Sequence, residues 1–215
     1  MNEQWDVKII NENPLFPILI IDNYYTKQEE NFVWNELNFL LSDDKKNLHR
    51  SEKGKDVARD EKGNAKGTSY RFYMDNIYTP EYRHTSPILR LLKKVQTLDF
   101  HKIIEKLVPY GRLFSQTNSD STLVTYYEDN DKYDTHIDTF MFTQCTYFVR
   151  EPRIFEGGDL VFKDIETKVN LKQNRSVFFP SCFYHQSTPI NFKRNIDSIG
   201  FGKFTISHFY YYGKK

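Results

Sequence analysis

Six histidines occur among the 215 residues: His49, His84, His101, His136, His185 and His208. His136 lies in Tyr133-Asp134-Thr135-His136-Ile137-Asp138. On a strand, residues i and i+2 point to one face. An imidazole and a carboxylate can therefore aim at one point, with Ile137 turned the other way into packing. Alone the pair is weak evidence. With six His and sixteen Asp in the chain, roughly one such triplet would arise by chance in every two chains of this composition.

The downstream segments add weight to the pair. Phe155-Glu156-Gly157-Gly158-Asp159-Leu160-Val161-Phe162 reads as a Gly-Gly turn feeding a strand. Ser176-Val177-Phe178-Phe179-Pro180-Ser181 reads as a buried strand leading to His185 and then Thr188-Pro189-Ile190. Two imidazoles and one carboxylate from separated strands are the donor set of the facial triad in non-heme Fe(II) oxygenases. Such a triad holds one face of an octahedral metal and leaves three positions open. The candidate ligands are His136, Asp138 and His185. For His49, His84 and His101 a surface or hydrogen-bonded role is the default. Cys145 and Cys182 are too few for a disulfide framework or a cysteine zinc site and are expected to be small buried hydrophobes.

The elements that must position these residues are legible in outline. Ile18 to Asn23 reads as a strand. Thr26-Lys27-Gln28-Glu29 is a capping box, and Val33, Leu37, Leu40 and Leu41 follow at helical spacing. From Ser42 to Gly67 fourteen of 26 residues are charged and none is aromatic, so an exposed mobile loop is expected. Ser69 to Met74 alternates like a strand. Ser86-Pro87 marks a helix start with Ile88, Leu91, Leu92 and Val95 as its stripe, and a second helix (Phe100, Ile103, Ile104, Leu107) ends at Pro109. From Leu123 onward the chain reads as β: Leu123–Glu128, Phe140–Val149, Asp159–Lys163, Arg175–Phe179, Phe183–Gln186 and Lys203–Tyr211. Short turns between these runs argue for a sandwich or barrel. The expected class is α+β, mainly β, in one domain over 1–215. Strands and helices would fill 1–110, with the charged loop at 42–67, and the β-domain 121–211.

Composition narrows the function classes. Thirty Lys and Arg oppose 29 Asp and Glu, a formal net charge of +1, which gives no field for collecting nucleic acid or anionic membrane. Fifteen Tyr and 18 Phe are far more than a disordered chain carries. The longest near-continuous apolar run, Pro14 to Ile21, is eight residues against the roughly 20 that span a bilayer. The first ten residues lack a basic region feeding an apolar stretch. A cytoplasmic globular protein with no membrane and no nucleic-acid partner is expected.

The ordered set from Tyr127 to Lys203 resembles the 2-oxoglutarate- and Fe(II)-dependent dioxygenases, in their prolyl-hydroxylase-like branch. The resemblance rests on Tyr127 nine residues before His136, the His136-x-Asp138 pair, Tyr147 in a following strand, Gly157-Gly158-Asp159-Leu160, Phe179-Pro180-Ser181 with His185, and a basic residue opening the last strand. It covers Leu123 to Tyr211, and Pro17-Ile18-Leu19-Ile20-Ile21-Asp22 looks like the family's entrance. It implies a double-stranded β-helix, a jelly-roll or cupin-like barrel with the metal in its mouth and N-terminal helices packed outside. It implies Fe(II), 2-oxoglutarate as cosubstrate, O₂, and ascorbate as a candidate reductant. It also asks for a cation that binds the distal carboxylate of 2-oxoglutarate. Lys203 with Thr205 matches the family's basic-x-Ser/Thr pattern on one strand face. Arg194, in the polar stretch Asn191-Phe192-Lys193-Arg194-Asn195, is the rival. Tyr127 and Tyr147 resemble the tyrosines that line the cosubstrate pocket, and His208 falls on the opposite face from Lys203.

The implied activity is hydroxylation of an unactivated C–H, coupled to decarboxylation of 2-oxoglutarate to succinate. The implied substrate is a peptidyl proline or another protein side chain. A free amino acid or small metabolite is the alternative, and a non-catalytic metal-binding barrel is the alternative from another class.

Overall fold

A computed structural model describes residues 5–42, 49–55, 57–194 and 199–213. Its architecture is a double-stranded β-helix built from two facing antiparallel sheets. The larger sheet runs, in spatial order, Asp6–Ile10, Ile18–Asp22, Ser176–Pro180, Phe142–Phe148, Lys203–Tyr211, Ser119–Tyr127, Tyr70–Tyr73 and His49–Arg50. The smaller runs Thr167–Val169, Leu160–Phe162, His185–Ser187, Lys132–His136 and Gly67–Thr68. Phe155–Gly157 and Ile190–Phe192 form a separate pair. Among the described residues no helix is long and apolar enough to cross a membrane.

The central strand Lys203–Tyr211 shows how sequence becomes layering. It is buried on both faces from Lys203 to Tyr210, and only Tyr211 at its end reaches solvent. Phe204, Ile206 and Tyr210 face one way and pack with Val124, Tyr126, Phe148 and Phe178. Lys203, Thr205, Ser207 and Phe209 face the other way into a cavity between the sheets. The period of two thus sorts apolar side chains to the helix layer and mostly polar ones to the interior of the barrel.

The helix layer closes the outer face. Helix Lys27–Leu41 begins at Thr26, whose Oγ1 accepts from the Glu29 amide at 3.2 Å while the Thr26 amide donates to Glu29 Oε2 at 2.8 Å. Its Val33, Leu37, Leu40 and Leu41 are buried against the large sheet, and Trp34 meets Phe148 and Phe204 edge-on. The helix opening at Pro87 is capped by Ser86, whose Oγ accepts from the Leu89 amide. Buried Glu36 accepts from Ser86 Oγ at 2.6 Å and from the Ile88 amide at 2.8 Å. A carboxylate at a helix N-terminus meets the unpaired amides and the positive end of the dipole, so this one contact locks two helices together.

The charged segment departs from expectation. Residues 43–48 and 56, with the His49 side chain, lie outside the described residues, but the rest is not exposed throughout. Ser51, Val57 and Gly67 are buried. Arg50 pairs with both oxygens of Asp131 at 3.1 and 3.0 Å. Gly67–Thr68 adds a strand to the small sheet. Composition suggested exposure because it counts charges without their partners. Two strands that the sequence did not announce, Thr167–Val169 and Ile190–Phe192, are three residues long, too short for a periodic signal; the five-residue edge strand Asp6–Ile10 was not announced either. Cys182 is exposed, against the expected burial, because it lies in the turn between Ser176–Pro180 and His185–Ser187.

The Gly157-Gly158 turn has a structural requirement that the site depends on. Both residues adopt positive φ, 79° and 77°, the region open mainly to glycine. A Cβ on Gly157 would lie 2.0 Å from the Pro189 carbonyl oxygen. Gly157→Ala is therefore expected to destabilise the fold by about 2–3 kcal/mol, read from denaturant midpoints. An unchanged midpoint would show that the turn can relax.

Candidate active site

His136 ends its strand, and His185 begins the neighbouring one directly opposite. The pairing slips by one residue between His185 and Ser187, which is a bulge, the usual device for re-aiming a side chain. Asp138 lies beyond the strand end. Its place comes from its amide, which donates to the Ser181 carbonyl at 3.0 Å, rather than from strand alternation. The expectation for Ile137 is accordingly corrected: it is 44% exposed and lines the cavity, because the extended pleat that would have turned it into packing stops at His136.

The three side chains converge. One donor atom from each of His136, Asp138 and His185 lies within 4.8 Å of the others. Nε2 of His136 and Nε2 of His185 stand 3.6 and 3.5 Å from the two Asp138 oxygens. His136 Nδ1 lies 2.9 Å from the Asp134 carbonyl and His185 Nδ1 2.8 Å from the Phe183 carbonyl. A carbonyl only accepts, so each ring carries its proton on Nδ1 and presents a bare Nε2 inward. Thr143 donates to Asp138 Oδ2 at 2.7 Å and lies 2.8 Å from Ser181 Oγ, which orients the carboxylate. Tyr133 stacks on the His136 ring, centroids 3.7 Å apart. Burial, and then the neighbouring His185, push the His136 imidazole down to about 4 against the opposing pull of Asp138. It is neutral at physiological pH, the form that ligates a metal.

The cavity measures about 310 Å³ and is walled by both sheets. Lys203 is 1% exposed. Its Nζ donates to the Gly158 carbonyl at 3.1 Å and to Ser187 Oγ, and sits 4.2 Å from the Tyr127 ring centroid. None of these partners carries a negative charge, and burial pushes its ammonium down to about 7. The Thr205 hydroxyl is buried without a partner among the described residues. Tyr127 and Tyr147 line the same cavity, with burial raising both hydroxyls above the usual range, so they remain donors. Arg194 is exposed in the turn after Ile190–Phe192 and is not among the cavity residues. His84 is exposed, and His208 faces away and meets Thr122 Oγ1 at 2.9 Å.

The residues present fit an iron ion with a dicarboxylate cosubstrate. The donor set is two neutral imidazoles and a carboxylate. Among the described residues, a buried ammonium with no carboxylate in hydrogen-bond contact and an unpartnered hydroxyl lie on one strand face, where a carboxylate would satisfy both. Two further wall residues escaped the sequence reading. Arg71 lines the cavity, and its signal was available, since it is the one charge in Tyr70-Arg71-Phe72-Tyr73. Val57 lines it too, with no signal in a segment dominated by charge.

Comparison with known proteins agrees with this geometry. Residues 122–211 match the family described as the 2OG-Fe(II) oxygenase superfamily. The fold is similar to that of a prolyl-4-hydroxylase from Pseudomonas putida, with 14% identity over 92% of this chain and 93% of that one and a TM-score of 0.55. A viral collagen prolyl hydroxylase from Paramecium Bursaria Chlorella virus-1, solved as a 2OG complex, is 15% identical over 90% of this chain and 94% of that one, with a TM-score of 0.49. No curated protein gives a significant match.

Proposed function

We propose that this chain, whose residues 122–211 match the 2OG-Fe(II) oxygenase superfamily, is an Fe(II)- and 2-oxoglutarate-dependent dioxygenase that hydroxylates a peptidyl proline or another protein side chain. His136, Asp138 and His185 hold the iron. Lys203 and Thr205 hold the distal carboxylate of 2-oxoglutarate, flanked by Tyr127 and Tyr147. The observation that carries this reading is the pairing of two features in one cavity. Three donor atoms meet at one point, and an ammonium with no negative partner is buried in the same wall. The prolyl-4-hydroxylase with the similar fold supports the choice of substrate class.

When bound, the iron supplies the oxidising step that converts 2-oxoglutarate and O₂ to succinate and CO₂ and inserts oxygen into a C–H bond. The chain supplies the rest. The Asp134 and Phe183 carbonyls hold the two imidazole tautomers, and Thr143 holds the carboxylate. Lys203 orients the cosubstrate along the strand face, and Leu160, Cys145 and Phe209 make part of the cavity wall apolar, which keeps water from the reacting centre.

Anaerobic addition of Fe(II) and 2-oxoglutarate should produce the weak visible charge-transfer band of the chelate. Lys203→Ala should lose it or demand far more 2-oxoglutarate, while Arg194→Ala should match wild type. Iron bound without a band would replace 2-oxoglutarate with another metal chemistry. No iron binding at all would leave a non-catalytic barrel.

A further inference from the structure

A second buried cation faces the same cavity and lies outside the set of residues assigned above to the iron and the cosubstrate. Arg71 is 9% exposed and lines the cavity wall. Its Nε and Nη1 are buried with no hydrogen-bond partner among the described residues. Nη2 reaches only the Tyr73 hydroxyl, at 3.5 Å, and the guanidinium stands 5.7 Å from the Tyr73 ring centroid. Strand register gives its place relative to the proposed cosubstrate site. Arg71 pairs with Thr125, and Thr125 with Thr205. Arg71 is thus two strands to the side of Thr205, roughly 10 Å along the sheet. It is not at the Lys203 end of the strand face.

We propose that Arg71 is a specificity-determining residue that binds a carboxylate of the primary substrate, so that the molecule hydroxylated is an acid. This rests on the reading that Lys203 and Thr205 take the cosubstrate. With that cation engaged, Arg71 faces the space beside the chelate. Among the described residues the buried guanidinium has no carboxylate in contact and no acceptor beyond the distant Tyr73 hydroxyl, and a neutral carbonyl would supply an acceptor without the counter-charge. A carboxylate supplies both, in the planar geometry that arginine matches. Two sources present that chemistry: the α-carboxylate of a free amino acid, or an acidic side chain next to the reacting residue of a peptide.

The test is calorimetric, on protein loaded anaerobically with Fe(II) and saturating 2-oxoglutarate. Acetate is the minimal probe. L-proline and an N-acetylated, C-amidated Pro-Asp dipeptide are the larger acids, with L-prolinamide and the corresponding Pro-Asn dipeptide as neutral partners. Wild type should bind acetate saturably and one larger acid more tightly than its neutral partner. Which acid wins identifies the source. Arg71→Gln should weaken acid binding at least tenfold and erase the acid-over-amide preference, with 2-oxoglutarate affinity within twofold of wild type. Arg71→Met serves as a second, shape-conserving variant, and both should melt no lower than wild type because each removes an unpaired buried charge. Absence of acid binding in wild type, equal binding of acids and amides, or a loss in Arg71→Gln that falls on 2-oxoglutarate instead would each overturn the proposal. Failure of wild type to take up Fe(II) and 2-oxoglutarate would instead strike at the cosubstrate reading beneath it.

Discussion

His185→Ala should abolish stoichiometric Fe(II) binding and succinate formation together. Its imidazole contributes one of three donor atoms that lie within 4.8 Å of one another, and two remaining donors cannot define an octahedral face. Loss of a residue that merely supports a ligand costs about 10–100-fold in metal affinity, so loss of a ligand should cost more than about 100-fold. Thr143→Val supplies the internal comparison. It removes the hydroxyl that donates to Asp138 Oδ2 and keeps the three donors, so iron affinity should fall by about tenfold and succinate formation should persist. Both are measured by anaerobic Fe(II) titration and succinate release. Unchanged iron affinity in His185→Ala would remove the metal assignment, and equal losses in the two variants would show that the cluster collapses as a unit.

Replacing Lys203 by Met should raise stability and abolish 2-oxoglutarate binding at once. The methionine keeps most of the aliphatic stem and removes a charge that is buried with only neutral hydrogen-bond partners. The sign follows from the lowered ammonium. In the unfolded chain the lysine holds its proton to about 10.4, whereas in the folded protein it releases it above about 7. Below 7 both states are charged, and folding bears the full cost of burying the charge. Between about 7 and 10 the unfolded state binds more protons, so the ligand-free protein gains stability as pH rises. Lys203→Met should lack that rise and melt higher than wild type at pH 6.

The same lysine sets a pH dependence of binding. A carboxylate at Nζ requires the charged form. The apparent 2-oxoglutarate Kd should be flat below about pH 7 and rise about tenfold per unit above it. Binding at pH 8 should accordingly take up a proton, visible as a dependence of calorimetric heat on buffer ionisation. A Kd flat from pH 6 to 9 would place the charge of the lysine outside the binding event.

The sequence alone determined the parts of this protein that depend on local pattern. The period-two alternation of Lys203-Phe204-Thr205-Ile206 separates cavity from helix layer, and strand register bears it out. The Thr26–Glu29 capping box and the Val33, Leu37, Leu40 and Leu41 stripe specify a helix and its buried face, because both signals act within a few turns. The order of His136, Asp138, Gly157-Gly158 and His185 pointed to one metal-binding cluster, since donor chemistry is carried by residue type. Only the tertiary structure decided the rest. Asp138 is aimed by a hydrogen bond to the distant Ser181, so alternation misjudged Ile137. Arg50 is fastened by Asp131, so charge density misjudged its segment. Lys203 and Arg194 are both basic and both near the chain's end, yet one is enclosed and the other exposed. Arg71 gains its meaning from Thr125 and Thr205 on adjacent strands. In each case the deciding partner is distant in sequence, and burial and pairing across such distances are properties of the packed barrel, which no local window of residues contains.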